Sequence, residues 1–471
     1  MKLIKLVKKH QTLFFALAWI LVWSVLYSAI SLYRYSTWQV FYYDAGYFAR
    51  IIEKFARLQI PVVRHISFGE IYFFNDHFSP SLAILAPLFW LWSDLRLVLI
   101  EQAVAIASCT LIIFLIAKKE KLNWYAAGAV SFSLAVFTGA LSPLISDWHP
   151  EPTAGLFLLL FYYFFKYSFQ KKWFWLSSGL VFVGFKESNA VILFLMLIIL
   201  LVKKKKKRKI VLSLMGGCIV YFLVVTRILM DNYHYLPTYP SNFLELKQTL
   251  SHAQKWQTLK NSLISFGGLP VIAPIWLGLA LAELSTRFLP IDSIFSNFSL
   301  GMHYSFYFSL FLSLSTIYAL KKLKKNKLRL GASIWLALVS LFSARKITIS
   351  PINLAVSPVM WQQLADHKPN LNLMVKDLQN KKGSIMAQNN VLPRFFAHQQ
   401  EIFLLEESYK KYQPDYVIFD LSPDQNPNNF YGPSGGVNQN FMENVQQKIA
   451  TDSAYVKVEK YEKPFYVYQK K

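Results

Sequence analysis

Residues 11 to 33 (QTLFFALAWILVWSVLYSAISLY) contain no charged side chain. A helix needs about 20 consecutive apolar residues to cross the hydrocarbon of a bilayer, and only a helix satisfies its own backbone there. This run is therefore expected to be a transmembrane span. Lys2, Lys5, Lys8 and Lys9 precede it, and the positive-inside rule places the N-terminus in the cytoplasm. The run is longer than a signal-peptide core and no small-residue cleavage site follows, so it reads as a retained anchor.

Later apolar runs end in further lysine clusters: Lys118, Lys119 and Lys121; Lys166, Lys171 and Lys172; residues 203 to 209; residues 321 to 329. Assigning each cluster to the cytoplasmic face gives a consistent parity. Residues 97–117, 154–169 and 304–320 run inward; residues 124–141, 210–229 and 330–344 run outward. Residues 173–202 have lysines at both ends, so they must enter and return, turning at Lys186-Glu187-Ser188-Asn189. Residues 260–284 carry Gly267, Gly268, Pro270 and Pro274 at their centre and read as a re-entrant or broken hairpin, which needs a cover of protein or water at membrane depth. The expected fold is a polytopic α-helical protein of the cell membrane with about 9 to 12 spans, some short or re-entrant. The count is open around residues 80–92 and 260–284.

Hydrophobic residues make up 54% of the chain and the mean hydropathy is +0.31, so lipid is the expected solvent for most of it. The net charge of +24 lies largely in loops beside the spans. Topology and anionic lipid account for it better than nucleic acid does. Cys109 and Cys218 both fall in apolar runs and offer no disulfide framework. CxxC, HExxH, GxxxxGK[ST] and GxGxxG motifs are all absent, which removes sequence support for zinc hydrolysis, P-loop ATPase activity and dinucleotide chemistry.

After Ala344 the long apolar runs stop. Residues 384–388, 402–405 and 415–421 read as strands, with one or two more within 456–468; residues 361–367, 371–380 and 442–450 read as helices. The division expected is 1–344, a transmembrane domain with a long first outer loop (34–77), and 345–471, an extracytoplasmic α/β domain. Residues 423–436 (PDQNPNNFYGPSGG) read as a mobile loop.

With the spans so oriented, Asp44, Asp76, His77, Asp147, His149, Glu151, Glu187 and His303 all fall opposite the lysine clusters. Asp44 starts an amphipathic stretch, residues 44–58, suited to lying in the interface. It is either an N-cap or a functional carboxylate. Asp76-His77, ahead of Pro80, could supply an acid or base, metal ligands or a phosphate contact, or be a polar interfacial turn. Asp147, His149 and Glu151 alternate in a loop stiffened by Pro150 and Pro152; such donors suit Mg²⁺, Ca²⁺ or Mn²⁺, though short outer loops are polar in any case. Lys186 and Glu187 cost about 2.5 to 3.5 kcal/mol each at membrane depth and need partners. They either pair with each other or snorkel, or Lys186 holds an anionic group such as a phosphate. His303 and Arg345, at the outer ends of two spans, are weaker candidates of the same kind.

The succession Tyr43-Asp44-Ala45-Gly46, Asp76-His77-Phe78-Ser79-Pro80 with Ala86-Pro87-Leu88, His149-Pro150-Glu151, Phe185-Lys186-Glu187 and His303-Tyr304 resembles the membrane-protein family named domain of unknown function 2079. Residues 388–393 (QNNVLP) and 415–418 (DYVI) look like that family's outer domain, so the likeness runs from about residue 40 to 420. The family in turn is similar to GT-C type membrane glycosyltransferases, which have a long first outer loop and a carboxylate near the end of the first span. That likeness implies a polyprenyl-phosphate sugar donor and puts the role of base or metal partner on Asp44. The resulting expectation is sugar transfer from a polyprenyl-phosphate donor to an envelope acceptor on the outer face. Asp44 would be the base, and His77, Lys186, Glu187, His303 and Arg345 would contact substrate or phosphate. Asp76, Asp147, His149 and Glu151 would be ligands of a divalent cation, Mg²⁺ or Mn²⁺. Two other classes fit the membrane topology. A transporter or lipid flippase would use the broken helices, although such sites lie near the midplane. A non-enzymatic envelope scaffold would leave the ionisable cluster unexplained.

Overall fold

The computed structural model describes residues 11–65, 69–203, 205–230, 236–346, 369–395, 402–405, 409–422, 429, 439–461 and 463–471. Helix α1 (Gln11–Ser36) covers the first expected span. A π-helical turn, Tyr42–Gly46, leads into α2 (Tyr47–Ala56). Then comes an antiparallel hairpin of β1 (Val62–His65) and β2 (Gly69–Tyr72). Next are α3 (Leu95–Lys119), α4 (Trp124–Val136) and α5 (Thr138–Ile145). Asn123 caps α4 by accepting the Ala126 N–H at 3.0 Å, and extended backbone at Phe137 parts α4 from α5.

Helix α6 (Glu151–Tyr167) starts with Pro152 in its first turn, where the missing N–H costs nothing. Helices α7 (Lys172–Val183) and α8 (Asn189–Lys203) flank the expected turn at 186–189. They are followed by α9 (Arg208–Val224), α10 (Ala253–Ser265), α11 (Pro274–Phe288), α12 (Phe306–Lys322) and α13 (Asn326–Ala344). Among the described residues five helices are long and apolar enough to cross a membrane: Phe14–Ser36, Leu95–Lys119, Trp124–Ile145, Arg208–Leu229 and Asn326–Arg345. Helices α6 and α12, at 17 residues each, are about 25 Å long at 1.5 Å per residue, a little under the hydrocarbon thickness.

The chain forms two compact units. The first holds residues 1–30, 74–82 and 100–358; the second holds 31–73, 83–99 and 359–471. The loop after the first span thus groups with the C-terminal residues, a different division from a boundary at 344/345.

In the first unit α6 packs on α7, α11 on α12, α4 on α13 and α8 on α9. Helix α12 is buried from Phe306 to Leu320 apart from the half-buried Tyr318, and Lys321 and Lys322 at its end are exposed. Its Ser309, Ser313 and Thr316 hydroxyls donate to carbonyls four residues back, so they sit among apolar neighbours with their hydrogen bonds made. Leu21, Ile228 and Leu338 on α1, the π turn after α9, and α13 are exposed, as lipid-facing side chains are. The break expected in residues 260–284 lies between α10 and α11, where Gly267 (φ +63°) and Gly268 (φ +71°) reverse the chain. A left-handed backbone costs a residue with a Cβ about 1–2 kcal/mol. A Cβ on Gly267 would also meet the Trp335 ring at 3.0 Å. Gly267→Ala should therefore lower the thermal unfolding midpoint; an unchanged midpoint would contradict this account of the break.

The second unit is built on a five-stranded sheet of order β4-β3-β5-β7-β6. It contains β3 (Ile385–Ala387), β4 (Ile402–Leu404), β5 (Tyr416–Asp420), β6 (Tyr455–Lys457) and β7 (Phe465–Lys470). Strands β4, β3 and β5 are parallel, while β7 pairs antiparallel with β5 and β6. Successive side chains in a strand face opposite ways. Ile385, Ala387, Tyr416 and Ile418 accordingly join Leu371, Met374 and Leu378 of α14 (Pro369–Gln379) in one core. Met386, Val417 and Phe419 join Met442, Val445 and Ile449 of α15 (Gln439–Ala450) in the other. Both faces are covered, which is why residues 416–419 (YVIF) form an unbroken apolar run. Trp38 and Tyr42 complete the α14-side core and draw the loop into this unit. The expected helix at 361–367 lies outside the described residues, as does the 423–436 loop apart from Asn429.

Candidate functional site

Helices α6 and α12 begin side by side in the first unit, and their N-terminal ends bring three ligand-type side chains together. His149, Glu151 and His303 are buried, and each offers a nitrogen or oxygen lying within 4.8 Å of the others. The imidazoles of His149 and His303 stack with centroids 3.4 Å apart. His149 Nε2 lies 3.1 Å from the Ser146 carbonyl. A carbonyl can only accept, so Nε2 carries the proton and Nδ1 is the ring's acceptor nitrogen. His149 precedes α6, and His303 opens a short 3-10 turn (His303–Ser305) ahead of α12. Burial, then the neighbouring His303, holds His149 well below the usual histidine range. Burial, then Lys186, does the same to His303. Glu151 Oε2 and His303 Nδ1 are buried without a hydrogen-bond partner among the described residues.

The turn between α7 and α8 supplies the charges that face this group. Lys186 Nζ lies 3.6 Å from Glu151 Oε1, and His303 Nε2 lies 3.9 Å from the same oxygen. Glu187 Oε1 is 3.5 Å from His77 Nδ1, and its Oε2 accepts the Phe78 N–H at 3.2 Å. Lys186 and Glu187 therefore do not pair with each other: adjacent side chains diverge, and each takes a partner from a different element. Asp76 is buried and acts electrostatically on Lys186. The residue 76–82 segment is fixed on the turn by Ser81 N–H donating to the Gly184 carbonyl at 2.9 Å. A Cβ on Gly184 would collide with the Ser81 hydroxyl, which would have to turn away to admit it.

Two residues that no motif marked hold the loop carrying His149. Gln102 of α3 accepts the His149 N–H at 2.7 Å and donates to the carbonyls of Pro143 and Asp147 at 3.0 and 3.2 Å. Glu101 accepts from Thr153 Oγ1 at 2.6 Å and from the Trp148 indole at 3.2 Å. Their signal was available: Glu101 and Gln102 are polar residues in an otherwise apolar run, and such residues face protein or water and mark sites. Asp147 is buried in the same loop with a left-handed backbone (φ +82°), a conformation that aspartate tolerates better than most residues. Neither Asp147 nor Asp76 belongs to the three-residue ligand group. Arg345 follows α13 and is exposed.

Asp44 belongs to the second unit. It lies inside the π turn rather than at the N-cap of α2, whose cap position, Gly46, has no side-chain cap bond. The turn is pinned to the loop after β3: Tyr42 N–H donates to the Asn389 carbonyl at 2.7 Å, and Tyr43 N–H to Asn389 Oδ1 at 2.9 Å. Arg394 stacks on Tyr35 and Trp38 at 3.5 and 4.2 Å. Helix α2 is not a simple surface helix either. Glu53 is buried and bonded to Arg50 and Arg57, both at 2.8 Å.

The opposite ends of α6 and α12 carry lysines. Lys166 and Lys321, in their last turns, both lie 2.5 Å from the Glu120 carboxylate. Partial burial alone would raise the Glu120 carboxyl, but hydrogen bonds from Lys166, Lys321 and Tyr167 bring it down to about 2. The two ends of α6 and α12 thus carry different ionisable groups, Glu151 with His149, His303 and Lys186 at one and Glu120 with Lys166 and Lys321 at the other.

A likeness to solved structures extends over almost the whole chain. ArnT from Cupriavidus metallidurans, solved bound to undecaprenyl phosphate, superposes with a TM-score of 0.52 at 12% identity, over 95% of this chain and 97% of that one. At that identity the likeness concerns the fold alone. No curated protein sequence matches the chain. The family model described as "Predicted membrane protein (DUF2079)" matches residues 34–455. By that match, which spans most of the chain and every candidate site residue, the chain belongs to the DUF2079 family of membrane proteins.

Proposed function

We propose that the chain is an integral-membrane glycosyltransferase, moving a sugar from a polyprenyl-phosphate donor to an envelope acceptor at the outer face. In this reading the N-terminus is cytoplasmic and the C-terminal α/β region extracytoplasmic. The observation that carries it is the gathering of Lys186, His77, His149 and His303 around two buried carboxylates, Glu151 and Glu187, at one end of α6 and α12. The fold shared with ArnT supports the class of donor.

In the reaction the acceptor oxygen attacks the anomeric carbon, and the bond to phosphate oxygen breaks with its electron pair leaving on the polyprenyl phosphate. Lys186 and His77 steady that phosphate. The Lys186 ammonium has three donors, so its contact with Glu151 leaves others for a ligand. Fixed donors where negative charge grows favour the transition state. Asp44 takes the proton of the acceptor hydroxyl.

His149, Glu151 and His303 would hold a divalent cation. Two metal–nitrogen bonds of about 2.1 Å span about 4.2 Å, so donor atoms within 4.8 Å of one another need only a small closure. The orphaned Glu151 Oε2 and His303 Nδ1 fit the same role. Two imidazoles with one carboxylate suit zinc or manganese better than magnesium, and such an ion supplies charge neutralisation when bound. Elemental analysis of the purified protein should find about one such ion per chain, lost in His149→Ala/His303→Ala; equal metal in both proteins would remove this part of the reading.

The donor class is tested by native mass spectrometry of the purified protein with undecaprenyl phosphate. Bound lipid is expected on the wild type and should fall sharply in His77→Gln/Lys186→Gln. Equal occupancy in both would contradict the assignment of these two side chains.

A further inference from the structure

A second feature of the first unit lies at the end of α6 away from His149 and Glu151. A cavity of about 660 Å³ opens among the C-terminal ends of α3, α6, α8 and α12 and the start of α11. Five lysines line it, Lys119, Lys166, Lys203, Lys321 and Lys322, against one acid among the described lining residues, Glu120. Glu120 takes Lys166 and Lys321, both at 2.5 Å, and accepts the Tyr318 hydroxyl at 3.0 Å. Trp276 stacks on Tyr318 with centroids 4.4 Å apart and an interplanar angle of 2°, forming a flat wall. Lys166 lies over the Tyr318 ring at 4.5 Å.

Lysines at helix C-termini offset the helix dipole and reach toward the interface, which explains their presence near the ends of spans. It does not explain their convergence on a walled cavity. Four uncompensated positive charges sharing one volume repel each other, and the repulsion is relieved by an anion. The volume is that of a small-molecule site, larger than a single ion requires. Glu120 sets Lys166, Lys321 and Tyr318 in place, while Lys119, Lys203 and Lys322 are outside its ion pairs.

We infer that this cavity binds a phosphate-bearing anion, with Lys119, Lys203 and Lys322 as its charged contacts and the Tyr318–Trp276 wall against its organic part. The inference does not depend on glycosyl transfer. Two sources share the chemistry, an anionic lipid headgroup and a soluble phosphate compound.

The test uses the full-length protein and its thermal unfolding midpoint. One arm titrates inorganic phosphate into protein in phosphatidylcholine nanodiscs; the other compares those nanodiscs with ones containing phosphatidylglycerol. Lys119→Gln/Lys203→Gln/Lys322→Gln empties the cavity of its contacts and leaves the Glu120 pairs intact. Lys324→Gln/Lys325→Gln/Lys327→Gln removes the same charge from the α12–α13 connection. The midpoint should rise with at least one ligand, and the cavity triple should weaken that ligand's apparent affinity about tenfold or more, since three charge contacts are lost together. The connection triple should respond like wild type. A rise confined to phosphatidylglycerol identifies a lipid headgroup, and one confined to phosphate identifies a soluble ligand. No rise in either arm, or equal weakening in both triples, overturns the inference. Lys186→Gln should keep the response, so this result and the undecaprenyl phosphate result can fail separately.

Discussion

Asp44→Asn is expected to reduce sugar transfer by about 10²- to 10⁴-fold, the usual contribution of a poised general base, with the unfolding midpoint close to wild type. The second half of the expectation follows from the turn's construction. What fixes Tyr42–Gly46 is the pair of backbone N–H groups donating to Asn389 and the burial of Tyr42 in the α14-side core. The Asn389 bonds and the packing of Tyr42 are both kept in Asp44→Asn. Asn keeps the size and removes the basicity, so a purely structural role would leave product formation intact. Product measured by mass spectrometry beside a melting curve separates the two. Wild-type product from Asp44→Asn would end the assignment of Asp44 as base.

Glu151→Gln is expected to destabilise the first unit by about 3–5 kcal/mol, the range for removing one partner of a buried ion pair. Lys186 lies 3.6 Å from Glu151, and without the carboxylate its ammonium keeps its desolvation cost and loses its nearest compensation. The double variant Glu151→Gln/Lys186→Met removes both charges and should recover much of the loss, because the cost lies in the uncompensated charge rather than in the missing attraction. Denaturant unfolding of the two single variants and the double gives the coupling between the residues. Additive losses would mean that Lys186 draws its compensation elsewhere. Both singles should also lose transfer activity, since both side chains belong to the proposed phosphate and cation group.

Much of the helical layout was legible because apolar length and lysine placement act locally. The turn at 186–189 followed from lysines at both ends of residues 173–202, and the break at Gly267-Gly268 from residues that tolerate a left-handed backbone. The strands β3, β4 and β5 were legible as short β-branched and aromatic runs. The hairpin of β1 and β2 was not, since four-residue strands are too short to establish an alternation. Nor was the grouping of Trp38 and Tyr42 with α14, which joins residues more than 300 positions apart. At the candidate site, residue types were readable and partners were not. His149, Glu151, Lys186, Glu187, His77 and His303 were marked by being ionisable near spans, but the separate pairing of Lys186 with Glu151 and Glu187 with His77 depends on how helices stack. Glu101 and Gln102 hold the His149 loop from within α3.

The central claim, sugar transfer to an envelope acceptor, is tested most directly by the sugar composition of envelope polymers. Three strains are compared by mass spectrometry at matched expression: a deletion strain alone, with the wild-type chain, and with Asp44→Asn. The account predicts a sugar that disappears on deletion, returns with wild type and stays absent with Asp44→Asn. Identical envelope glycans in all three strains, with the protein present in the membrane, would contradict it and favour a transporter or scaffold.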